Sequence, residues 1–218
     1  MGRRSKKSKN EFYDYIMGLT YLVDKKSKVI IEDNLEYRVI DKTSCKLIGY
    51  KTKSKVKSDL IIPKKVKNMQ VVSIGESAFS SLDNLKSVAL PDGLVEICPK
   101  AFCWCRNLEN INFPSTLKSI GYWAFECCDK LFSTSKNIFE MPISLEIIGN
   151  SAFSDCFSIE KIIVGKNIKY IGDGCFSGDH RLKYVNFEKN NLIKLGRGVF
   201  YNCLSLKTTS STYDMSVI

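Results

Sequence analysis

Hydrophobic positions recur along this chain at a spacing far longer than a helix or strand period. From Ile74 onward a unit of the form hydrophobic-Gly-x-x-small-Phe returns again and again. It reads "IGESAFSSLDNLKSVALPDGLVE" from Ile74, "ICPKAFCWCRNLENINFPSTLKS" from Ile97 and "IGYWAFECCDKL" from Ile120. It continues as "IGNSAFSDCFSIEKIIVGKNIKY" from Ile148, "IGDGCFSGDHRLKYVNFEKN" from Ile171 and "LGRGVFYNCLSLKTTSS" from Leu195. Three of the steps are 23 residues, one is 24 and one is 28. The long step carries about five extra residues near Ser133–Asn137, because Met141-Pro142 then regains the spacing to Ile148. Periods of 20–50 residues are the signature of a solenoid or array.

Each column of the unit has a physical role. Five residues after the leading hydrophobic stand Phe79, Phe102, Phe125, Phe153, Phe176 and Phe200; eleven after it stand Leu85, Leu108, Leu131, Ile159, Leu182 and Leu206. The pattern then runs L-x-x-[IV]-x-hydrophobic, as in Leu85-Val88-Leu90, Leu108-Ile111-Phe113 and Leu182-Val185-Phe187. Its last two positions alternate with ones expected to be exposed, which predicts a half-buried strand. Pro91, Pro114 and Pro142 follow and stop it, since proline cannot donate to a ladder. The leading Ile-Gly predicts a second short extended piece, with Gly where the coil turns, passing into a helical stub around Ala-Phe. No single unit buries these columns alone; stacked coils do, each Phe resting on the next.

These units resemble the leucine-rich repeat, and specifically the BspA-like (Treponema pallidum type) class. "IGESAFSSLDNLKSVALP", "IGYWAFECCDKL" and "IGNSAFSDCFSIEKIIV" follow that class's I-G-x-x-A-F-x-x-C-x-x-L-x-x-I-x-[IL]-P pattern over residues 60–209. Leu82 and Asp179 depart from the Cys column, and Gly165 and Glu188 from the Pro column. The expected fold is a repeat solenoid of the α/β-type leucine-rich repeat kind, mostly β with short helical stubs. About six 23-residue coils would sit behind an N-terminal β-hairpin cap.

The flanks divide the chain further. "LIIPKKVKNMQVVSIG" is a half-unit, with Leu60, Ile62 and Pro63 at strand-end positions. Upstream, "LEYRVIDKTSCKLIGY" alternates apolar and polar residues at Leu35, Tyr37 and Val39, which predicts a hairpin over the first coil. We therefore expect a basic, partly disordered arm and linker over 1–34, a β cap and half-repeat over 35–73, and the solenoid over 74–218. Thr209 and Ser211 take strand positions that are apolar elsewhere, so the C-terminal end is polar. That fits either a capping strand or an interrupted longer array.

Charge sharpens this division. The formal net charge is +10, but residues 1–67 hold 18 Lys/Arg against 8 Asp/Glu, whereas residues 68–218 hold 15 of each. The solenoid is electrostatically balanced. No apolar run approaches the roughly 20 residues that span a bilayer. "MGRRSKKSK" followed by "YIMGLTYLV" has the outline of a signal peptide, but Glu11 and Asp14 intervene and no small-residue cleavage site follows. That absence, with nine cysteines in no secreted disulfide framework, favours the cytoplasm. The family resemblance favours the cell surface or secretion.

Candidate chemistry is sparse. Cys105, Cys128, Cys156 and Cys203 share one repeat column, where a small buried hydrophobe suits the turn into the strand. Two alternatives remain for part of this set: a zinc site from Cys103, Cys105, Cys127 and Cys128, whose C-x-C and C-C spacings are unusual, or a Cys105–Cys128 disulfide. His180 is the single histidine, and no hydrolase, metalloprotease or phosphate-loop motif occurs. We expect neither enzymatic activity nor a cofactor or metal.

Function is expected on surfaces. Outward strand positions should form two rows, Ser87, Asn110, Ile138, Lys161 and Tyr184, then Ala89, Asn112, Glu140, Ile163 and Asn186. Ile138, Ile163 and Tyr184 would give an apolar stripe edged by Asn and Lys, a composition suited to protein contact. The resemblance implies the same: a protein-interaction module with a protein partner, in some cases a surface adhesin. A different reading starts from "KTKSKVK", where Lys51, Lys53, Lys55 and Lys57 alternate at strand period and would present one basic face. An anionic ligand (nucleic acid, lipid head group or acidic glycan) would bind there. No set of base-stacking aromatics accompanies the lysines, which argues against nucleic acid. A charged edge that blocks strand aggregation explains them equally.

Overall fold

A computed structural model describes residues 27–52, 56–188 and 193–207. The chain begins its described part with an antiparallel meander, β1 (Val29–Glu32), β2 (Leu35–Val39) and β3 (Ser44–Tyr50). Asp33 and Asn34 both take positive φ (49° and 66°) between β1 and β2, the backbone a tight two-residue hairpin demands. The cap is thus a three-stranded unit, and β1 falls within the stretch expected as arm and linker. Leu35 and Tyr37 are buried, as their alternation predicted, and Val39 is half-buried.

Past the cap come β4 (Asp59–Ile61), β5 (Lys65–Val66) and β6 (Met69–Ile74). Two kinds of short strand then alternate along the chain. They are β7 (Ser87–Ala89) and β8 (Glu96–Ile97), β9 (Asn110–Asn112) and β10 (Ser119–Ile120), then β11 (Ile138–Glu140) and β12 (Ile147–Ile148). The last coils add β13 (Lys161–Val164) and β14 (Tyr170–Ile171), then β15 (Tyr184–Phe187) and β16 (Lys194–Leu195). The leading-hydrophobic strands form one continuous sheet in the order β1-β2-β3-β6-β8-β10-β12-β14-β16, parallel from β3 onward. The opposite face is split into β4-β7-β9 and β11-β13-β15, both parallel.

The repeat columns form the core between these faces. Phe79, Phe102, Phe125, Phe153, Phe176 and Phe200 stack in one ladder, with neighbouring centroids 5.1–5.7 Å apart and planes within 20°. The expected helical stubs, by contrast, are runs of turns, and there is no helix among the described residues. Left-handed backbone replaces them. Ser77 and Ser81, Lys100 and Trp104, Trp123 and Cys127, and Ser151 and Asp155 all have φ between 51° and 64°. Non-glycine residues rarely adopt this region. What holds them there is a third ladder of coil-to-coil bonds: the Ser77, Phe79 and Ser81 N–H groups donate to Pro99, Ala101 and Cys103 carbonyls at 2.8–3.1 Å. A helix would spend those donors within its own turn.

The glycine column also has a different cause from the turn we expected. A Cβ on Gly121 would lie 2.5 Å from the Pro99 nitrogen, and one on Gly149 2.5 Å from the Tyr122 nitrogen, with neither backbone at positive φ. Close approach of successive coils requires these glycines.

Candidate functional site

The two outward rows exist, in the register expected within each half. Ser87 pairs with Asn110 and Ala89 with Asn112; Ile138, Lys161 and Tyr184 align, as do Glu140, Ile163 and Asn186. They are not continuous, however. The insertion divides them between β9 and β11.

Residue by residue, the insertion works as follows. Phe132 keeps the ladder going, since its N–H donates to the Glu109 carbonyl at 2.9 Å. The chain then loops out, and the Asn137 N–H closes the loop by donating to the Phe132 carbonyl at 3.1 Å. Asn137 next accepts from Glu160, so the following coil regains register. In the loop Ser133 to Lys136 are exposed, and the Thr134 hydroxyl donates to the Asn110 side-chain carbonyl. Between the displaced strands lies a cleft of about 510 Å³. Its floor is apolar, from Ile111, Phe113, Phe132 and Met141; Ser135, Ile138, Glu140 and Ile143 line its sides. Rings rather than strands carry the packing here. Phe132 stacks on Phe139 at 4.9 Å, and Phe113 meets Phe139 at 5.7 Å and Phe125 at 5.8 Å.

Exposure varies along the rows. Tyr184, Asn186, Asn110, Asn112, Ala89 and Glu140 are exposed, while Ile138, Ile163, Lys161 and Ser87 are half-buried. Tyr184 carries the Lys207 ammonium 5.7 Å from its ring centre. Asn112 is committed to the scaffold: its side chain accepts from the Leu90 N–H at 2.7 Å and donates to the Leu90 carbonyl at 3.1 Å. Sequence reasoning missed the first members of both rows. Asp59 aligns with Ser87 and accepts its hydroxyl at 2.5 Å, a bond that lowers the Asp59 pKa; Ile61 aligns with Ala89 and is 78% exposed. The strand-end pattern Leu60-Ile62-Pro63 already carried that signal, with Ile61 outward between two core residues.

β3 ends at Tyr50, and Lys51 and Lys57 are exposed outside any strand, while Lys53 and Lys55 lie outside the described residues. Thr209, Ser211 and the basic arm up to Lys26 also lie outside them.

The cysteine column is built into the coils. Cys105, Cys128, Cys156 and Cys203 are buried, and their thiols donate to the carbonyls of Phe79, Phe102, Phe125 and Phe176 at 3.0–3.2 Å. Burial raises their pKa, to about 12 for Cys105 and Cys203. All nine thiols are free, and no three metal-ligating side chains converge among the described residues. Cys127, half-buried at a left-handed position, is raised by burial to about 11. His180 is exposed, stacked on Phe157 at 5.7 Å.

A family model for the BspA type leucine-rich repeat region, in six copies, matches residues 54–135 and 129–218. The chain belongs to the BspA-type leucine-rich repeat family. A leucine-rich repeat protein of T. pallidum has a similar fold at 25% identity and a TM-score of 0.64, covering 83% of this chain and 91% of that one. A leucine-rich cell surface protein from Faecalibacterium prausnitzii aligns at 22% identity and a TM-score of 0.70 over 84% of this chain, which spans only 54% of that one. No curated protein matches. Membership in this repeat family suggests a protein-interaction module with protein partners, on a fold typically without catalysis. No helix among the described residues is long and apolar enough to cross a membrane.

Proposed function

We propose that this BspA-type repeat chain is a non-enzymatic interaction module that engages a protein partner through the split strand face, in a role such as adhesion at a cell surface. The observation that carries the reading is the register of outward side chains on rigid coils: Ile61 beside Ala89 and Asn112, and Ile163 and Tyr184 beside Lys161 and Asn186. Mixed apolar and amide groups held at strand spacing suit a protein contact, and the stacked coils beneath them lower the cost of ordering on binding. The similarity in fold to a cell surface protein supports the location, not the partner.

The test compares proteins captured by the full chain with those captured by the Ile163→Asp/Tyr184→Asp double variant. Tyr184 is exposed and Ile163 half-buried on the outward rows, and neither belongs to the core columns, so melting should stay within a few degrees while specific capture disappears. An identical set of captured proteins would refute the strand face as the contact. Capture that survives the double variant but collapses between low and physiological salt would indicate Lys51, Lys53, Lys55 and Lys57 and an anionic ligand instead.

A further inference from the structure

The cleft between β9 and β11 is a departure from the repeat, not a property of it. Every other neighbouring pair on this face is hydrogen-bonded strand to strand, whereas β9 pairs only with β7 and β11 only with β13 among the described residues. The five-residue insertion thus leaves two strand edges flanking an apolar floor. Along β11 and the residues after it, Ile138 to Ile143, the cleft runs about 17 Å at 3.3 Å per residue. Ile143 is 51% exposed at one end and the polar Ser133–Lys136 loop walls the other. Glu140 is the one charged residue lining it, and it forms no ion pair among the described residues.

We propose that this cleft receives an extended peptide segment of the partner protein, running along the edge of β11, with a large apolar side chain next to a Lys or Arg. The apolar side chain fills the floor made by Ile111, Phe113, Phe132 and Met141, and the basic one meets the Glu140 carboxylate. The Ile138 N–H already donates to the Ser135 carbonyl at 3.2 Å, so the backbone beyond it along the edge of β11 that pairs with no strand supplies the direction, as in strand addition to a sheet edge. The open, elongated shape suits a chain better than a compact small molecule. This inference rests on the strand-face reading above and names what one part of that face recognises.

The experiment selects displayed random dodecapeptides on the full chain and measures the enriched peptides against three variants. Glu140→Lys reverses the charge at an exposed position. Deletion of Ser133–Asn137 restores a 23-residue step and lets β11 reach β9. Ile163→Asp/Tyr184→Asp alters β13 and β15, whose side chains stand outside the cleft lining, although Ile163 neighbours Glu140 across the two strands. Enriched sequences should carry an aromatic or long aliphatic residue beside Lys or Arg, bind Glu140→Lys about tenfold more weakly, and lose binding to the deletion variant, while all proteins melt cooperatively. Peptides that bind Glu140→Lys and the deletion variant like the parent overturn the proposal; if they also fail on Ile163→Asp/Tyr184→Asp, the strand-face reading stands without the cleft. No enriched peptide at all overturns it too. Self-association that Glu140→Lys or the deletion abolishes would mean that a second copy fills the cleft.

Discussion

Asp179 takes the turn position that holds cysteine in four other coils, and it is fully buried. Its Oδ1 accepts the Cys156 N–H at 2.7 Å, while its Oδ2 has no hydrogen-bond partner. Burial, with Asp155 nearby, raises its pKa well above the usual carboxylate value; around it stand the thiols of Cys156, Cys175 and Cys203. The sign follows. Between the ordinary value and the raised one the folded chain holds a proton that the unfolded chain has released, so stability falls as pH rises through that window. Asp179→Asn keeps the acceptor for Cys156 and cannot ionise. Thermal melts should show the variant ahead of the parent by a few degrees at pH 8, with the gap closing toward pH 4; a gap independent of pH would remove Asp179 ionisation as its cause. That column was legible in the sequence as a packing position, and the departure at 179 was visible there. The protonation state was not, because it depends on the absence of water around a particular carboxylate.

Among the elements, the phenylalanine ladder and the insertion loop behave in opposite ways. The ladder follows from the repeat: one Phe per coil at one angular position has no choice but to stack once the coils are in register. Phe125 packs against Phe102, Phe153 and Phe113, whereas among the described residues Phe200 stacks only on Phe176. Phe125→Ala should therefore cost about 3–5 kcal/mol in urea unfolding, and Phe200→Ala distinctly less; equal losses would show that the ladder is not the source. The insertion was found in the sequence as extra length near Ser133–Asn137, yet length alone does not say where a loop leaves the coil. Phe132 decides it by holding the Glu109 carbonyl before the chain departs, and that choice splits the strand face. The expected helical stubs failed for a related reason. Lys100, Trp104, Trp123 and Cys127 have no intrinsic preference for left-handed backbone, and only bonds to the next coil make that conformation pay. Trp123 and Cys127 both occupy these left-handed positions, at φ 55° and 56°.

At the scale of the molecule, each coil touches chiefly its neighbours, so stability is distributed as a chain of interfaces. Inter-coil ion pairs add to this: Glu146 bridges Lys118 and Lys169, and Glu160 holds Arg181 and Lys183 at 2.5 and 2.7 Å. Exposed pairs of this kind contribute little each, and the core columns dominate. In the last described coil the columns are less covered: Leu195 and Leu206 are half-buried, whereas Ile171 and Leu182 one coil earlier are buried. Native-state hydrogen exchange should give the amides of Ile97 to Phe176 at least roughly tenfold greater protection than those of Lys194 to Lys207. Uniform protection would mean that the coils open as one cooperative unit. The sequence by itself determined the period, the core columns, the register within each half of the outward rows and the extra length near Ser133–Asn137, because a repeated pattern constrains every coil alike. Only the tertiary structure decided the turn conformation, the reason for the glycines and the cleft between β9 and β11. Those depend on how one coil meets the next, through backbone groups whose identity is the same in every residue.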